Sequence, residues 1–313
     1  MRLLPKKTNI DFLRYGKLCV GLSIALLLGC IVALVLRGLN FGLDFTGGTL
    51  IEARYSHAVE IPQVREALRE AGFGDAQTQY FGSAAEVLIR VPPREGVNTA
   101  EISTRVLEAL RSGTGNADAE IRKIEFVGPQ VGNELVQDGA LAALIATLGI
   151  LVYVAFRFEW RLAVGAIAAT VHDVVFCIGV FALWRIEFDL TTLAAVLAVI
   201  GYSVNDTVVV FDRIRENFRN RAFSKATTKE VINASINETL ARTIMTSMTT
   251  LLAVIVLLGW GGPAIHTFSL TMVIGVVVGT YSSIYIASAT PYFLGLKRED
   301  LLPRAKEDLD HIP

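Results

Sequence analysis

The chain has 313 residues, 52 % of them hydrophobic and 19 % charged, with a formal net charge of −1. The length allows two domains, the apolar excess points to a membrane protein, and the near-neutral charge offers no basic surface for nucleic acid. Cys19, Cys30 and Cys177 each fall inside an apolar run, which argues against disulfides, a zinc site or a thiol nucleophile and for buried spectators.

Leu18–Leu36 contains 19 uncharged residues. That is too long for a signal-peptide core, and no small-x-small exit follows, so it reads as a retained first span. Crossing the hydrocarbon takes about 20 apolar residues. Six segments qualify: 18–36, 139–156, 162–184, 190–211, 243–264 and 268–291. Basic residues alternate between their connections. Arg2, Lys6, Lys7, Arg14 and Lys17 precede the first span. Arg157 and Arg161 follow the second, the segment 212–242 is rich in Arg and Lys, and Lys297, Arg298, Arg304 and Lys306 follow the sixth. The opposite turns carry only Arg185 and the uncharged stretch before His266. This asymmetry places both termini (1–17 and 297–313) and the loop 212–242 on the cytoplasmic side.

Residues 38–137 are then left outside, with soluble composition and 14 acidic against 9 basic residues. Thr49–Tyr55 reads as a strand, and Ile61–Ala71 as an amphipathic helix with Pro62 in its first turn. Gln77–Phe81 and Glu86–Val91 read as strands around a Gly-Ser turn. Asn98–Arg111 opens on Asn98 or Thr99 as a cap and sets Ile102, Val106 and Leu110 on one face. Ile121–Val127 is a last strand, ended by Gly128-Pro129. The order βαββαβ predicts a ferredoxin-like domain. It carries no catalytic or metal-ligating cluster, so a binding or levering role is expected of it.

The segment Gly42–Gly48, GLDFTGG, enters this domain. Gly47 and Gly48 before a strand imply positive φ or a close backbone approach. A nucleotide site would need a strand–loop–helix context that is missing, which leaves Asp44 as a turn-former.

The apolar spans hold several polar residues. In GYSVNDTVVVFDRIR (201–215), Tyr202, Ser203, Asn205 and Asp206 interrupt the fourth span. A carboxylate there costs roughly 2.5–3.5 kcal/mol on insertion scales, so it needs a partner and a task. Arg242, at the start of the fifth span and near the depth of Asp206, is the natural ion-pair partner, although an arginine there also snorkels readily. His172 and Asp173 lie mid-way along the third span and must face a bundle interior or a wet cavity. No G-x-S-x-G motif and no intramembrane aspartyl-protease signature accompanies them, which argues against hydrolysis. An acid that protonates from one side and releases to the other couples an ion gradient to movement, at about 2.3 kcal/mol per charge per 100 mV. Its Ser, Asn and Tyr neighbours suit H⁺ or Na⁺.

The strings VIGYSVNDTVVVFDRIREN (199–217), GLDFTGG (42–48), HDV (172–174) and LARTIMTSMTT (240–250) resemble the SecF family. That family is the smaller half of the SecD–SecF protein-export machinery, within the resistance–nodulation–division (RND) superfamily, and the resemblance covers nearly the whole chain. It implies an α-helical membrane protein of six spans, half of a twelve-span RND-type bundle, with one ferredoxin-like α+β domain inserted after span one. It further implies SecD and the SecYEG channel as partners, a translocating polypeptide as cargo, the proton motive force as energy source and no cofactor, in the cell inner membrane. On these motifs Asp206 and Arg242 match the acid and arginine of the ion path, and Asp173 falls in a family motif. His172, Tyr202, Ser203 and Asn205 are the neighbouring polar groups, and Gly42, Asp44, Gly47 and Gly48 form the entry motif. The alternatives are an RND-type permease subunit for small molecules or lipids, or a scaffold without transport. Such permeases normally hold both halves and two large external domains in one chain, which this chain does not.

Overall fold

The computed structural model describes residues 8–94, 99–115 and 118–301. Arg2, Lys6, Lys7, Asn98, Arg304 and Lys306, named above, lie outside the described residues. The elements begin with α1 (Gly16–Arg37), β1 (Asn40–Phe41), α2 (Leu43–Thr46) and β2 (Gly48–Arg54). Next come α3 (Ile61–Glu70), β3 (Gln77–Phe81), β4 (Ser83–Val91), α4 (Thr99–Gly113) and β5 (Glu120–Val127). The long helices follow: α5 (Pro129–Arg157), α6 (Trp160–Trp184), then β6 (Glu187–Phe188), α7 (Leu190–Arg219) and α8 (Thr228–Trp260). The last are α9 (His266–Ser282), a π-helical turn Ser283–Ala287, α10 (Ser288–Phe293) and α11 (Arg298–Leu301). Two compact units result: one of Met1–Leu39, Ala143–Ile186 and Thr191–Pro313, the other of Asn40–Ala142 and Glu187–Leu190.

The smaller unit carries an antiparallel sheet in the order β3-β4-β2-β5. Strand alternation turns Ile51, Ala53, Val87, Ile89 and Val91 to one face, where α3 supplies Val64 and Leu68 and α4 supplies Ile102, Val106 and Leu110. This is the ferredoxin-like arrangement the sequence predicts. Strand β4 starts three residues before the predicted Glu86, because Gly82 takes φ +77° and reverses the chain tightly. Gly48 is obligatory: it has φ +119°, and a Cβ there would lie 2.5 Å from the Val91 carbonyl oxygen. Strand β5 forms a sheet edge and leaves Ile124 and Phe126 exposed.

Among the described residues, six helices are long and apolar enough to cross a membrane: α1, α5, α6, α7, α8 and the broken helix α9–α10. Three of these, α6, α7 and α9–α10, have half or more of their apolar stretch buried, whereas α1, α5 and α8 turn most of theirs outward. Phe156 is 88 % and Trp260 83 % exposed, which suits hydrocarbon or a partner rather than water. Trp160, Trp184 and Trp260 all stand at helix ends and are exposed, as expected at the membrane interfaces. The 25 residues of α6 between two of them span about 36 Å, enough for a hydrocarbon core of about 30 Å.

Residues 212–242, read from the sequence as a connecting loop, are α-helical except for 220–227, where Arg221–Phe223 make a 3-10 turn. Helix α7 continues because Ile214 and Phe218 stay buried at helical spacing while Arg213 and Glu216 pair on the surface at 3.0 Å. Helix α8 starts in a capping box, Thr227 with Glu230, and buries Val231, Ile232 and Ile236. Close packing of the spans relies on small residues. A Cβ on Gly179 would lie 2.3 Å from the Cys30 Cβ, so this cysteine fills the α1–α6 contact. Cys177 is buried, while Cys19 and Cys30 are only half-buried, against the sequence expectation.

Candidate functional site

The polar residues of α6, α7 and α9 converge inside the helix bundle. Asp173 is wholly buried. Its Oδ2 accepts hydrogen bonds from Ser203 Oγ of α7 at 2.5 Å and Ser282 Oγ of α9 at 2.8 Å. Its Oδ1 shares a 2.9 Å bond with Nδ1 of His172, whose ring also stacks on Phe176. Asp206 is 8 % exposed and is held in the same way from two other helices. Thr243 Oγ1 of α8 donates to Oδ1 at 2.7 Å, and Ser283 Oγ donates to Oδ2 at 2.5 Å. Two carboxylates on different spans are thus cradled by hydroxyl donors, the arrangement that buried acids require.

A hydroxyl chain runs beside them. Tyr202 donates to Ser247 Oγ at 3.1 Å, and Ser247 and Thr280 share a 2.6 Å bond. Gly279 makes room for the Asp173 cluster, since a Cβ there would stand 3.3 Å from the Ser203 Cβ and 3.6 Å from Asp173 Oδ2.

The expected Asp206–Arg242 ion pair is not formed. Arg242, next to the buried Thr243, is exposed, and no ion pair engages it among the described residues. The physical reason lies in helix geometry: consecutive residues diverge by about 100° around the axis, so α8 can aim only one of Thr243 and Arg242 at α7. Asn205 likewise turns away from Asp206, into an open groove of about 550 Å³ lined by Ile145, Gly149 and Tyr153 of α5.

Ser282 and Ser283 were not singled out by the sequence reading. Their signal was present: Thr280, Tyr281, Ser282, Ser283, Tyr285 and Ser288 thicken the sixth span with hydroxyls. A count of charges alone passes over such residues.

The GLDFTGG motif lies in the other unit. Asp44 does more than shape a turn, because its Oδ2 accepts the backbone N–H of Leu190, the first residue of α7, at 3.1 Å. Beside it, Arg90 donates to the Phe41 carbonyl at 2.7 Å and faces Glu187 at 3.6 Å. Burial pushes the Glu187 carboxyl above its ordinary value, against the opposing charge of Arg90.

The basic ends of the spans share one end of the larger unit. Arg157 pairs with Asp212 at 2.7 Å, and Arg161 with Asp300 at 2.5 Å. The N-terminal stretch is stapled there too. Asp11 accepts from Lys229 and from Asn233, both at 2.7 Å, and the Asn237 side chain bonds the backbone N–H and C=O of Ile10 at 2.9 and 2.8 Å.

Comparison with known proteins places these features. The family described as "Protein export membrane protein SecD/SecF, C-terminal" matches residues 106–297, and the "SecD/SecF GG Motif" matches 32–59. The chain is 46 % identical to the protein translocase subunit SecF of Vibrio alginolyticus, covering 100 % of this chain and 99 % of that one. It is 48 % identical to SecF of Escherichia coli O157:H7 over 95 % of this chain and 91 % of that one. Among solved structures, SecDF of Thermus thermophilus, a translocon-associated membrane protein, superposes with TM-score 0.82 at 36 % identity. That match covers 94 % of this chain but 39 % of the longer one. A second structure, SecDF in a super-membrane-facing form, gives TM-score 0.68 at 36 % identity, covering 96 % of this chain and 40 % of that one. With matched families over most of its length and full-length relatives well above 40 % identity, this multi-pass membrane chain belongs to the SecF family of protein translocase subunits.

Proposed function

We propose that this chain pairs with a SecD partner and uses the proton motive force at Asp206 to promote late steps of polypeptide export through the SecYEG channel. One observation carries the reading: an ionisable group is buried mid-bundle in an apolar span and held by neutral hydroxyls, with no cation paired to it among the described residues. An acid so placed is expensive to keep, and such residues mark ion and proton paths. The exposed Arg242 stands one residue from Thr243. A rearrangement that brings its guanidinium onto Asp206, and a later one that withdraws it, would favour different protonation states of the acid. Alternation between these arrangements moves a proton and performs work. Asp173, His172, Ser203 and Tyr202 extend the polar path, and Asn205 faces the groove beside it.

In this reading the basic end of the bundle, both termini and the 220–227 connection are cytoplasmic, in the cell inner membrane. The ferredoxin-like domain is extracytoplasmic, and its edge strand β5, with exposed Ile124 and Phe126, is a surface for the partner or the emerging polypeptide. The SecD half would complete a twelve-span bundle, and the outward apolar faces of α1, α5 and α8 leave ample surface for it and for lipid. A small-molecule or lipid permease is not favoured by the relatives, which are translocase subunits.

The test is Asp206→Asn in proteoliposomes containing the full chain, its SecD partner and the channel, with proton and sodium gradients imposed separately. Export stimulated by the proton gradient should be lost. Undiminished stimulation would sink the mechanism, and stimulation by the sodium gradient alone in the wild type would replace H⁺ with Na⁺.

A further inference from the structure

We propose that Ser282 and Ser283 are proton-following positioning residues. Each turns one hydroxyl proton between a buried carboxylate and its own helix's backbone, so that Asp173 and Asp206 can be charged or neutral without stranding a polar atom. The inference rests on the reading of Asp206 as an ion carrier.

The geometry supplies two acceptors for each single proton. Ser283 Oγ lies 2.5 Å from Asp206 Oδ2 and 3.0 Å from the Thr280 carbonyl oxygen. Ser282 Oγ lies 2.8 Å from Asp173 Oδ2 and 3.1 Å from the Gly279 carbonyl oxygen. A hydroxyl donates once and accepts with its lone pairs. Beside a carboxylate, it donates to the carboxylate. Beside the protonated acid, it rotates its proton to the carbonyl three residues back and accepts the acid's O–H. Either state leaves every group paired, whereas a buried unpaired one is costly. The hydroxyls of Thr243 and Ser203, which serve the same two carboxylates, each have one acceptor among the described contacts. They anchor the acids, and the two adjacent serines follow the proton.

The backbone favours this pairing at this place. Neighbouring residues of a helix point about 100° apart, so Ser282 faces α6 while Ser283 faces α7. The π turn begins at Ser283, and such turns are rare and frequent at functional sites. Its cause is local. Pro291 has no N–H for the carbonyl of Ala287 and its ring crowds that carbonyl, so the hydrogen-bond ladder breaks there. Ser288 Oγ, at 3.0 Å, donates to the carbonyl of Ser283 that the widened ladder leaves available. The other titratable groups around the two acids are His172 and Cys177 on α6, Tyr202 on α7, Arg242 on α8 and Tyr281 on α9, the last packing its ring on His172.

The experiment measures export against pH under an imposed proton gradient, in proteoliposomes holding the full chain with its SecD partner and the channel. Ser283→Ala and Ser283→Cys should displace the pH profile by about half a unit to one unit, the equivalent of one hydrogen bond to the ionised acid. Ser283→Thr, which keeps the hydroxyl, should restore the wild-type profile, and Ser282→Ala should give a displacement that Ser282→Thr reverses. If Ser283→Ala fails to assemble, the near-isosteric Ser283→Cys decides. Profiles of Ser283→Cys and Ser282→Ala coincident with wild type, while Asp206→Asn abolishes export, would overturn the serine proposal alone. Normal gradient-driven export by Asp206→Asn would instead overturn the reading beneath it.

Discussion

Ser203 lies one helical turn from Asp206 on α7 yet donates its hydroxyl to Asp173 of α6, at 2.5 Å. The two acids are therefore mechanically linked: whatever shifts α7 against α6 moves Asp206 and the Ser203 contact together. Asp173→Ala would leave Ser203, Ser282 and His172 without their shared acceptor inside the bundle. We expect it to lower stability by about 1–3 kcal/mol. Asp173→Asn, which keeps one acceptor oxygen, should fold at nearly the wild-type denaturation midpoint in detergent. Equal midpoints for Asp173→Ala and wild type would remove the structural role assigned to this carboxylate.

Arg242 is exposed and unpaired among the described residues, so Arg242→Ala should change the stability of the purified chain by no more than about 0.5 kcal/mol. Gradient-driven export should nevertheless fall as far as in Asp206→Asn, and the double variant should fall no further, because both act on one event. Additive losses would separate Arg242 from Asp206.

Much of this was readable in advance, for physical reasons. Apolar run lengths located the six spans, because burial in hydrocarbon leaves a signal some twenty residues long. The strands of the ferredoxin-like domain announced themselves by alternation, as at Val87, Ile89 and Val91. Asp206 and Asp173 were visible because charge is conspicuous in an apolar run. What escaped was angular. Whether Thr243 or Arg242 faces Asp206 depends on the rotation of α8 about its axis, which tertiary packing sets and composition does not encode. The continuation of α7 to Arg219 escaped too, since a surface helix with Arg213 and Glu216 resembles a charged loop in a hydropathy profile.

Asp44 accepts the Leu190 N–H at the first residue of α7, one of the four donors a helix start leaves unpaired. Asp44→Ala should therefore destabilise by about 1 kcal/mol, with Asp44→Asn close to wild type. Hydrogen exchange at residues 190–193 is the direct measurement. Unchanged exchange in Asp44→Ala would reduce the residue to a turn-former.

The N-terminal staple predicts a pH dependence. The Lys229 ammonium, hydrogen-bonded to Asp11, holds that carboxyl below its ordinary value of 3.8; desolvation opposes this, and Asn233 and the Arg14 amide add to it. A depressed carboxyl stabilises the docked state above its undocked value, and that contribution disappears as pH falls through the folded value. Limited proteolysis between residues 8 and 15 should accelerate as pH drops below about 4, and Asp11→Asn should cleave readily at every pH. Equal protection of Asp11→Asn and wild type at neutral pH would show that the Asn237 bonds to Ile10 and the buried Phe12 and Leu13 hold the segment without the Asp11 carboxylate.

The approach of α9 to α7 sets the height of the two serines. A Cβ on Gly275 would stand 2.1 Å from Val199 Cγ2 and 2.9 Å from its Cβ, so Gly275→Ala must push the helices apart. Overpacking of this kind costs about 1–3 kcal/mol. It should also lengthen the Ser283–Asp206 contact two turns along, and so reduce gradient-driven export more than the lost stability alone explains. Val199→Ala removes the two nearest methyls but leaves a Cβ at 2.9 Å, so the double variant Gly275→Ala with Val199→Ala should recover part of both the denaturation midpoint and export. Recovery of the midpoint without export would mean that helix spacing at Gly275 and the carboxylate contacts are set independently.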